Sequence, residues 1–237
     1  MEKKTPEADE AIFAFRGALQ RYVNRADAGR ILGGCLEKYK GRHPLVLGIP
    51  RGGVPVAAEV ARALEADLDV IVARKLGAPG QPELAIGAVT SNGGRFLNQE
   101  MIRDIGVTDE YLQSVTAAEM AEAQRREEKF RGGRPAAAIQ DRIVIIVDDG
   151  LATGATMRAS VRSVRKHQPA LLVVAVPVGS QEACAGLRQE ADEVVCVQQP
   201  AMFWAVGLYY ENFEPTLDDE VAEILRQYQK PAPARAD

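Results

Sequence analysis

The chain has 237 residues, 46% of them hydrophobic, and 29 basic residues against 33 acidic ones give a formal net charge of −4. This apolar content with moderate charge excludes disorder as a description of the whole chain, and the length fits one domain of ordinary size. The acidic balance also argues against a general nucleic-acid binder, which usually needs a basic surface. We therefore expect a folded chain with no nucleic-acid partner.

The cysteines and the apolar runs point to a cytoplasmic protein. Cys35, Cys184 and Cys196 form no CxxC pair and have no histidine at zinc spacing, so we expect incidental thiols in a reducing compartment. The longest apolar stretch, Ala170–Val178, is far shorter than the roughly 20 residues that cross a bilayer. The first ten residues lack the apolar core of a signal peptide. We expect no membrane partner.

Strand-like and helix-like segments alternate between two solvated tails, residues 1–10 and 230–237. The predicted strands are Pro44–Ile49, Leu68–Ala73, Leu84–Val89, Arg95–Asn98, Ile143–Val147, Leu171–Val178 and Glu193–Val197. The predicted helices are Val54–Leu64, Asp109–Arg131, Ala155–His167, Gln181–Arg188 and Leu217–Gln229. Apolar strands that alternate with helices predict an α/β fold with a Rossmann-like central parallel β-sheet flanked by helices.

The predicted helix Asp109–Arg131 has clear end signals. Thr108 is suited to cap its first turn, acidic residues follow at the positive end of the helix dipole, and Gly132 with Gly133 ends it. Its apolar stripe is narrow, so we expect this helix to lie on the surface or to contact a partner.

One candidate ligand loop is Asp148–Thr156, which follows the strand Ile143–Val147. Its small residues open a helix, and backbone N–H groups at a helix N-terminus suit a phosphate. Asp148 and Asp149 would repel that phosphate, and they suit a diol or a hydrated divalent cation instead. The loop therefore predicts a sugar phosphate, and the alternative is that the two acids only cap the loop and the helix.

Another candidate ligand loop, which contains two glycines, follows a strand predicted earlier in the chain. Arg51 supplies a bidentate phosphate donor, and Gly52 and Gly53 permit unusual backbone geometry, although a simple strand–helix turn is the alternative. Arg74 and Lys75 come at the end of the next predicted strand with no acid nearby in the sequence, which favours a ligand contact. These basic residues predict that the ligand carries a second anionic group, with a higher charge than the first. A sugar phosphate with such a group matches phosphoribosyl diphosphate (PRPP).

These motifs resemble those of a known family. Residues 148–156, preceded by Val144–Val147, are similar to the PRPP-binding signature of the type I phosphoribosyltransferases, and residues 48–56 are similar to their pyrophosphate loop. Residues 74–77 and 25–30 resemble a less characterised branch of predicted phosphoribosyltransferases. The resemblance spans roughly residues 25–225.

The resemblance implies a type I phosphoribosyltransferase fold, here over residues 11–229, with a C-terminal hood over residues 198–216. Residues 77–133 hold a hairpin and a helical insertion where the family usually has a mobile catalytic loop. The implied reaction is Mg²⁺-dependent transfer of the 5-phosphoribosyl group from PRPP to a nitrogen acceptor, which we expect to be a nucleobase, with release of pyrophosphate.

The resemblance also implies roles for individual residues. Asp148 and Asp149 would bind the ribose hydroxyls and hold Mg²⁺ indirectly, through PRPP or water. The 5-phosphate would be held by the backbone of Ala152, Thr153, Gly154, Ala155 and Thr156. The departing pyrophosphate would be stabilised by Arg51, Gly52 and Lys75, with Gly53 and Arg74 as further substrate contacts.

The acceptor is less defined by the sequence. Phe203, Trp204 and Tyr209 fall in an aromatic cluster where the family places its hood, and they are suited to stack on a flat ring. The alternatives are a hydrophobic plug and a homodimer contact. Ala152 stands where 6-oxopurine enzymes usually carry an Asp, which argues against hypoxanthine or guanine as the acceptor. The alternative function is a PRPP- or nucleotide-sensing regulator that binds without turnover.

Overall fold

The structure, a computed structural model, describes residues 20–228, so both predicted tails lie outside the described residues. The helices are α1 (Arg25–Cys35), α2 (Gly53–Leu64), α3 (Gln99–Asp104), α4 (Asp109–Arg131), α5 (Ala155–Arg165), α6 (Gln181–Leu187) and α7 (Asp218–Gln227). The strands are β1 (Leu45–Gly48), β2 (Asp67–Val70), β3 (Ala73–Ala78), β4 (Gln81–Thr90), β5 (Arg95–Leu97), β6 (Ile143–Val147), β7 (Leu171–Val178) and β8 (Glu193–Gln198). Within this range no helix is long and apolar enough to cross a membrane.

The larger sheet has five parallel strands in the order β2-β1-β6-β7-β8. Every residue of β6 is buried, as expected for a central strand with helices on both of its faces. Side chains from α2 and α7 pack on one face of this sheet, and side chains from α5 and α6 pack on the other. The predicted α/β fold with a helix-flanked parallel sheet is confirmed.

The smaller sheet is antiparallel, with the order β3-β4-β5, and its first strand differs from the prediction. The run Leu68–Ala73 is not one strand, because the chain leaves the parallel sheet at Ile71 and starts β3 at Ala73. The Ile71 N–H still donates to the Gly48 carbonyl (3.1 Å), whereas Ala73 pairs with Thr90 in the second sheet. Residues 68–72 are all buried, so the continuous apolar run does not mark the break between the two strands.

Helix α4 has the predicted bounds, Asp109–Arg131. The Thr108 hydroxyl accepts a hydrogen bond from the Tyr111 N–H, and Gly132 ends the helix in the left-handed conformation (φ 59°). The narrow apolar stripe, including Leu112 and Val115, packs against the antiparallel sheet of the same chain. Helix α4 therefore covers that sheet.

Candidate functional site

The register of the parallel sheet brings the two predicted ligand loops together. Strands β1 and β6 are neighbours, and Gly48 lies opposite Val147 at their carboxyl ends. The Ile49 N–H donates to the Val147 carbonyl (2.9 Å), which extends the pairing into the first loop. The peptide bond between Pro50 and Arg51 in that loop is cis. Residues 49–53 and 148–154 therefore leave the same edge of the sheet, where α/β folds bind ligands.

The absence of side chains at Gly52 and Gly53 lets the two loops touch. A Cβ atom built on Gly52 would lie 2.0 Å from Oδ2 of Asp149, and one built on Gly53 would lie 2.8 Å from the Cα of Asp148. Any larger residue at either position would force the loops apart. The glycines thus hold the first loop directly against the acid pair.

The acid pair, Asp148 and Asp149, is shielded from water. The Asp149 side chain is 15% exposed, and its backbone N–H donates to Oδ1 of Asp148 (2.8 Å). Burial, and then the neighbouring charge of Asp149, raise the pKa of Asp148 well above its ordinary value. Burial also raises the pKa of Asp149, while the opposite charge of Arg25 acts to lower it. Two carboxylates with one cationic partner leave excess negative charge for a cation or for hydroxyl donors.

Arg25 is a site residue whose role sequence reasoning missed. Its Nε donates to Oδ2 of Asp149 (2.9 Å), its Nη1 donates to the Glu214 carbonyl (2.7 Å), and its guanidinium lies 3.9 Å from the centroid of the Phe213 ring. The Arg25 side chain is only 12% exposed. It links the start of α1, the acid pair and the C-terminal segment. The only sequence signal was its place in the motif of residues 25–30, which implied no contact.

The second loop opens α5 as predicted. Gly154 adopts the left-handed conformation (φ 73°) at the N-cap, and no side chain caps the helix. The hydroxyl of Ser180 donates to the Ala152 carbonyl (2.8 Å), which secures the loop, while Ala152 and Thr153 are exposed. The first N–H groups of a helix lack intrahelical partners, so this end is suited to hold an anion.

Lys75 and Arg74 point to opposite faces of β3, because side chains alternate along a strand. Lys75 lies opposite Ala88, whose side chain packs against Ala155 in the first turn of α5. Directly opposed residues share a face, so Lys75 leaves the sheet on the side of the second loop, at the start of α5. It is exposed and has no ion-pair partner within residues 20–228.

Arg74 is paired with an acid, contrary to the expectation that it faces a ligand. Arg74 faces the other side of the sheet, where its Nε donates to Oε2 of Glu119 on α4 (2.7 Å). The acid comes from a helix 45 residues further along the chain, so inspection of the local sequence did not find it. Arg74 is a structural ion-pair residue in this conformation.

Arg51 is only loosely held. Its Nη1 lies 3.6 Å from Oδ1 of Asp218 on α7, and its side chain is largely exposed. Asp218 has a closer partner in Lys129, whose Nζ donates to the second carboxylate oxygen (3.0 Å). The Arg51 guanidinium can therefore turn toward an anion at the loop without leaving a buried charge unpaired.

The aromatic cluster divides into a buried part and an exposed part. Tyr209 is fully buried and stacks on Phe203 with a centroid separation of 5.7 Å, so the prediction that Tyr209 stacks on a ligand is wrong. Its ring belongs to the hydrophobic plug that was the alternative interpretation. Trp204 is 71% exposed and leaves an open aromatic surface. The Tyr210 hydroxyl donates to the Asp149 carbonyl (2.7 Å), which fastens this segment to the acid pair.

The acid pair also limits how a metal could bind. Residues 20–228 contain no cluster of three or more His, Cys, Asp or Glu side chains that could hold a metal ion. Mg²⁺ commonly uses one or two carboxylates and takes its other ligands from water and substrate phosphates. Asp148 and Asp149, with their excess negative charge, fit that mode of binding.

The Asp148→Asn substitution should stabilise the ligand-free protein at neutral pH. Because the pKa of Asp148 is raised by folding, the folded state keeps this proton to higher pH than the unfolded chain. Stability is then highest below the unfolded carboxyl pKa of about 4 and falls as the pH rises toward the folded pKa. We expect urea unfolding in a chelating buffer to show a larger free energy of unfolding for Asp148→Asn at pH 7.

The gain from Asp148→Asn should disappear as the pH is lowered toward about 4. Asp141→Asn is the matched control, since Asp141 is exposed at the other end of β6. A variant less stable than the wild type at pH 7 would contradict the electrostatics described for the acid pair.

The chain is similar both to curated proteins and to solved structures. Rv0571c of Mycobacterium tuberculosis H37Rv, which carries a provisional phosphoribosyl transferase name, is 47% identical over 207 residues, or 87% of this chain and 47% of that protein. The chain thus spans about half the length of the curated relatives it matches. The crystal structure of TT1426 from Thermus thermophilus matches with a TM-score of 0.75 and 43% identity, over 89% of this chain and 100% of that chain.

A more distant likeness concerns the fold alone. A hypothetical protein from Neisseria gonorrhoeae, crystallised with bound ppGpp, matches with a TM-score of 0.50 and 12% identity, over 89% of this chain and 96% of that chain.

The phosphoribosyl transferase domain family matches residues 22–212, which include both ligand loops, Arg25 and the aromatic cluster. The chain therefore belongs to the phosphoribosyl transferase domain family.

Proposed function

We propose that this chain transfers the 5-phosphoribosyl group of PRPP to a nitrogen atom of a nucleobase, with release of pyrophosphate and with Mg²⁺ as the cofactor. The observation that carries the proposal is the contact between Gly52 and Asp149. It places a glycine loop, a shielded acid pair and an uncapped helix N-terminus at one edge of the sheet. PRPP carries a pyrophosphate for the glycine loop, ribose hydroxyls for the acid pair and a 5-phosphate for the helix N-terminus.

Binding divides between the two loops. The N–H groups at the start of α5, from Thr153 to Thr156, donate hydrogen bonds to the 5-phosphate, and the field of the helix N-terminus favours its charge. The carboxylates of Asp148 and Asp149 accept hydrogen bonds from the two ribose hydroxyls. A hydroxyl donor relieves part of the cost of burying these charges, because buried carboxylates are stable only when they are paired.

The reaction breaks the bond between the ribosyl carbon and a pyrophosphate oxygen, and the bonding electrons leave with pyrophosphate. The acceptor nitrogen forms the new bond and loses a proton. Negative charge grows on the leaving group, and Arg51 and Lys75 stabilise it from two sides. When bound, Mg²⁺ supplies further positive charge to the same oxygens, and Asp148 and Asp149 are the residues that would hold it.

The acceptor reaches the site under the C-terminal segment. Trp204 presents an exposed aromatic surface for a flat ring, and the stacked pair of Phe203 and Tyr209 supports the segment that carries it. Because Tyr210 and Arg25 fasten this segment to the acid pair, the acceptor is held close to the ribose. A covered site also limits hydrolysis of PRPP by water. The homodimer contact stays a prediction.

Pyrophosphate release from PRPP and Mg²⁺ across a panel of purine and pyrimidine bases tests the proposal. We expect release with a nitrogenous base and none without it. PRPP binding with no release from any base would contradict the proposed turnover, and it would favour the alternative of a PRPP-sensing regulator.

The double variant Asp148→Asn, Asp149→Asn should release no measurable pyrophosphate and should change the melting temperature by only a few degrees. Asparagine keeps the shape of each side chain but removes the charge that orients the hydroxyls and the metal. Asp141→Asn serves as the control, because Asp141 lies outside the site. Full activity of the double variant would exclude the acid pair from the reaction.

Arg25→Ala should weaken PRPP binding by roughly 10- to 100-fold, because a hydrogen-bonded charge pair contributes about 1.5–3 kcal/mol. The substitution frees Asp149 and the Glu214 carbonyl at once, so the acid pair and the C-terminal segment lose their common anchor. Arg25→Lys should not restore binding, since a lysine cannot reproduce the planar contacts of the guanidinium.

Arg30→Ala is the control for Arg25→Ala. Arg30 lies on the same helix, is exposed and pairs with Asp27 at 3.4 Å. Calorimetric titration of PRPP with Mg²⁺ into each variant measures the effect. Equal affinity for the Arg25→Ala and Arg30→Ala variants would remove Arg25 from the proposed site.

A further inference from the structure

A second cavity lies apart from the two ligand loops. Its volume is about 340 Å³, within the range of small-molecule sites, and it lies between the β2 edge of the parallel sheet, the turn that joins β4 to β5, the last turns of α4 and residues 136–139. His167, which follows the C-terminal end of α5, also lines it, whereas the phosphate loop lies at the N-terminal end of that helix. No residue proposed to bind PRPP or its acceptor is among its lining residues.

The charged side chains that line this cavity form hydrogen bonds with one another and with the backbone, except at one carboxylate oxygen. Asp69 accepts hydrogen bonds from Nε of Arg131 (3.0 Å) and from the Ala137 N–H (2.9 Å). Arg131 also donates to the Val70 carbonyl (3.0 Å), and its Nη1 pairs with Oε1 of Glu127. With its guanidinium bonded in three directions, Arg131 has little capacity left for an anionic ligand.

The exception is Oε2 of Glu127. This residue is only 9% exposed, and its Oε2 is buried with no hydrogen-bond partner in the part of the chain that the structure describes. Glu127 lines the cavity and also an adjoining space of about 210 Å³ that Glu128 borders. An unpaired buried carboxylate oxygen is unfavourable, and a ligand that donates a hydrogen bond to it removes that cost.

The remaining walls exclude an anion and suit an apolar body. Asp69 and Glu127 face one guanidinium, so the charged groups sum to about −1, and Nδ2 of Asn92 lies 3.1 Å from Nε2 of His167. Aliphatic side chains complete the lining, among them Leu47, Ile71 and Ile139.

We propose that this cavity binds a small organic cation with an apolar body and an amidine or amine group. Its N–H donates to Oε2 of Glu127 when that side chain turns toward the cavity, because Oε2 is buried in this structure. The positive charge balances the excess carboxylate, and the aliphatic wall removes the apolar body from water. This site is independent of PRPP, so its test does not depend on the proposed transferase reaction.

Benzamidine is the probe, and benzoate, with the same ring and the opposite charge, is the control ligand. Calorimetric titration should give a dissociation constant on the order of 1 mM for benzamidine, as is reasonable for a molecule of this size, and no binding of benzoate. The Glu127→Gln variant should weaken benzamidine binding roughly tenfold or more. Glu110→Gln, an exposed position at the other end of α4, should leave the affinity unchanged.

Amide chemical shifts of the wild-type protein locate the binding without any substitution. Benzamidine should shift the amide signals of Glu127, Arg131 and Ala137, and should leave those of Thr153 and Gly154 in place. Equal affinity for benzoate, unchanged affinity in Glu127→Gln, absence of binding, or shifts confined to the phosphate loop would each overturn the proposal.

Discussion

The close approach of Gly52 to Asp149 is the constraint on which the ligand site depends. Parallel pairing of β1 with β6 places Gly48 opposite Val147, so the loops that follow must leave the sheet side by side. Only a residue without a side chain fits between the first loop and the acid pair, because a Cβ on Gly52 would lie 2.0 Å from a carboxylate oxygen. The strand register and one glycine together place the glycine loop, the acid pair and the start of α5 at one edge.

The same contact makes the ligand-free site electrostatically costly. Asp148 and Asp149 share one cationic partner, Arg25, and burial acts against the charge of both acids. Binding sites often retain such unfavourable charges because the ligand completes them. Arg25 and the Tyr210 hydroxyl hold the pair in place until then, and both contacts come from outside the two loops. The acid pair is thus held by two parts of the chain that lie far from it in the sequence.

Sequence reasoning found the parts that local patterns determine. Helix α4 was predicted with its observed bounds because Thr108 and the glycines after Arg131 mark its ends, and the fully apolar β6 identified the central strand. The contacts that were predicted wrongly or missed are long-range. Arg74 meets an acid 45 residues away, Tyr209 packs in a cluster with Tyr22 and Val178, and Arg25 reaches a carboxylate 124 residues away. No local pattern records such contacts, since they depend on how the sheets and helices pack.

A crystal structure of the protein with PRPP and Mg²⁺ would show directly which residues hold each group of the substrate. We expect the 5-phosphate at the N–H groups of residues 153–156, the ribose hydroxyls on Asp148 and Asp149, and the pyrophosphate between Arg51 and Lys75. A ligand bound with its ribose away from the acid pair, or with its 5-phosphate away from the start of α5, would contradict this expectation.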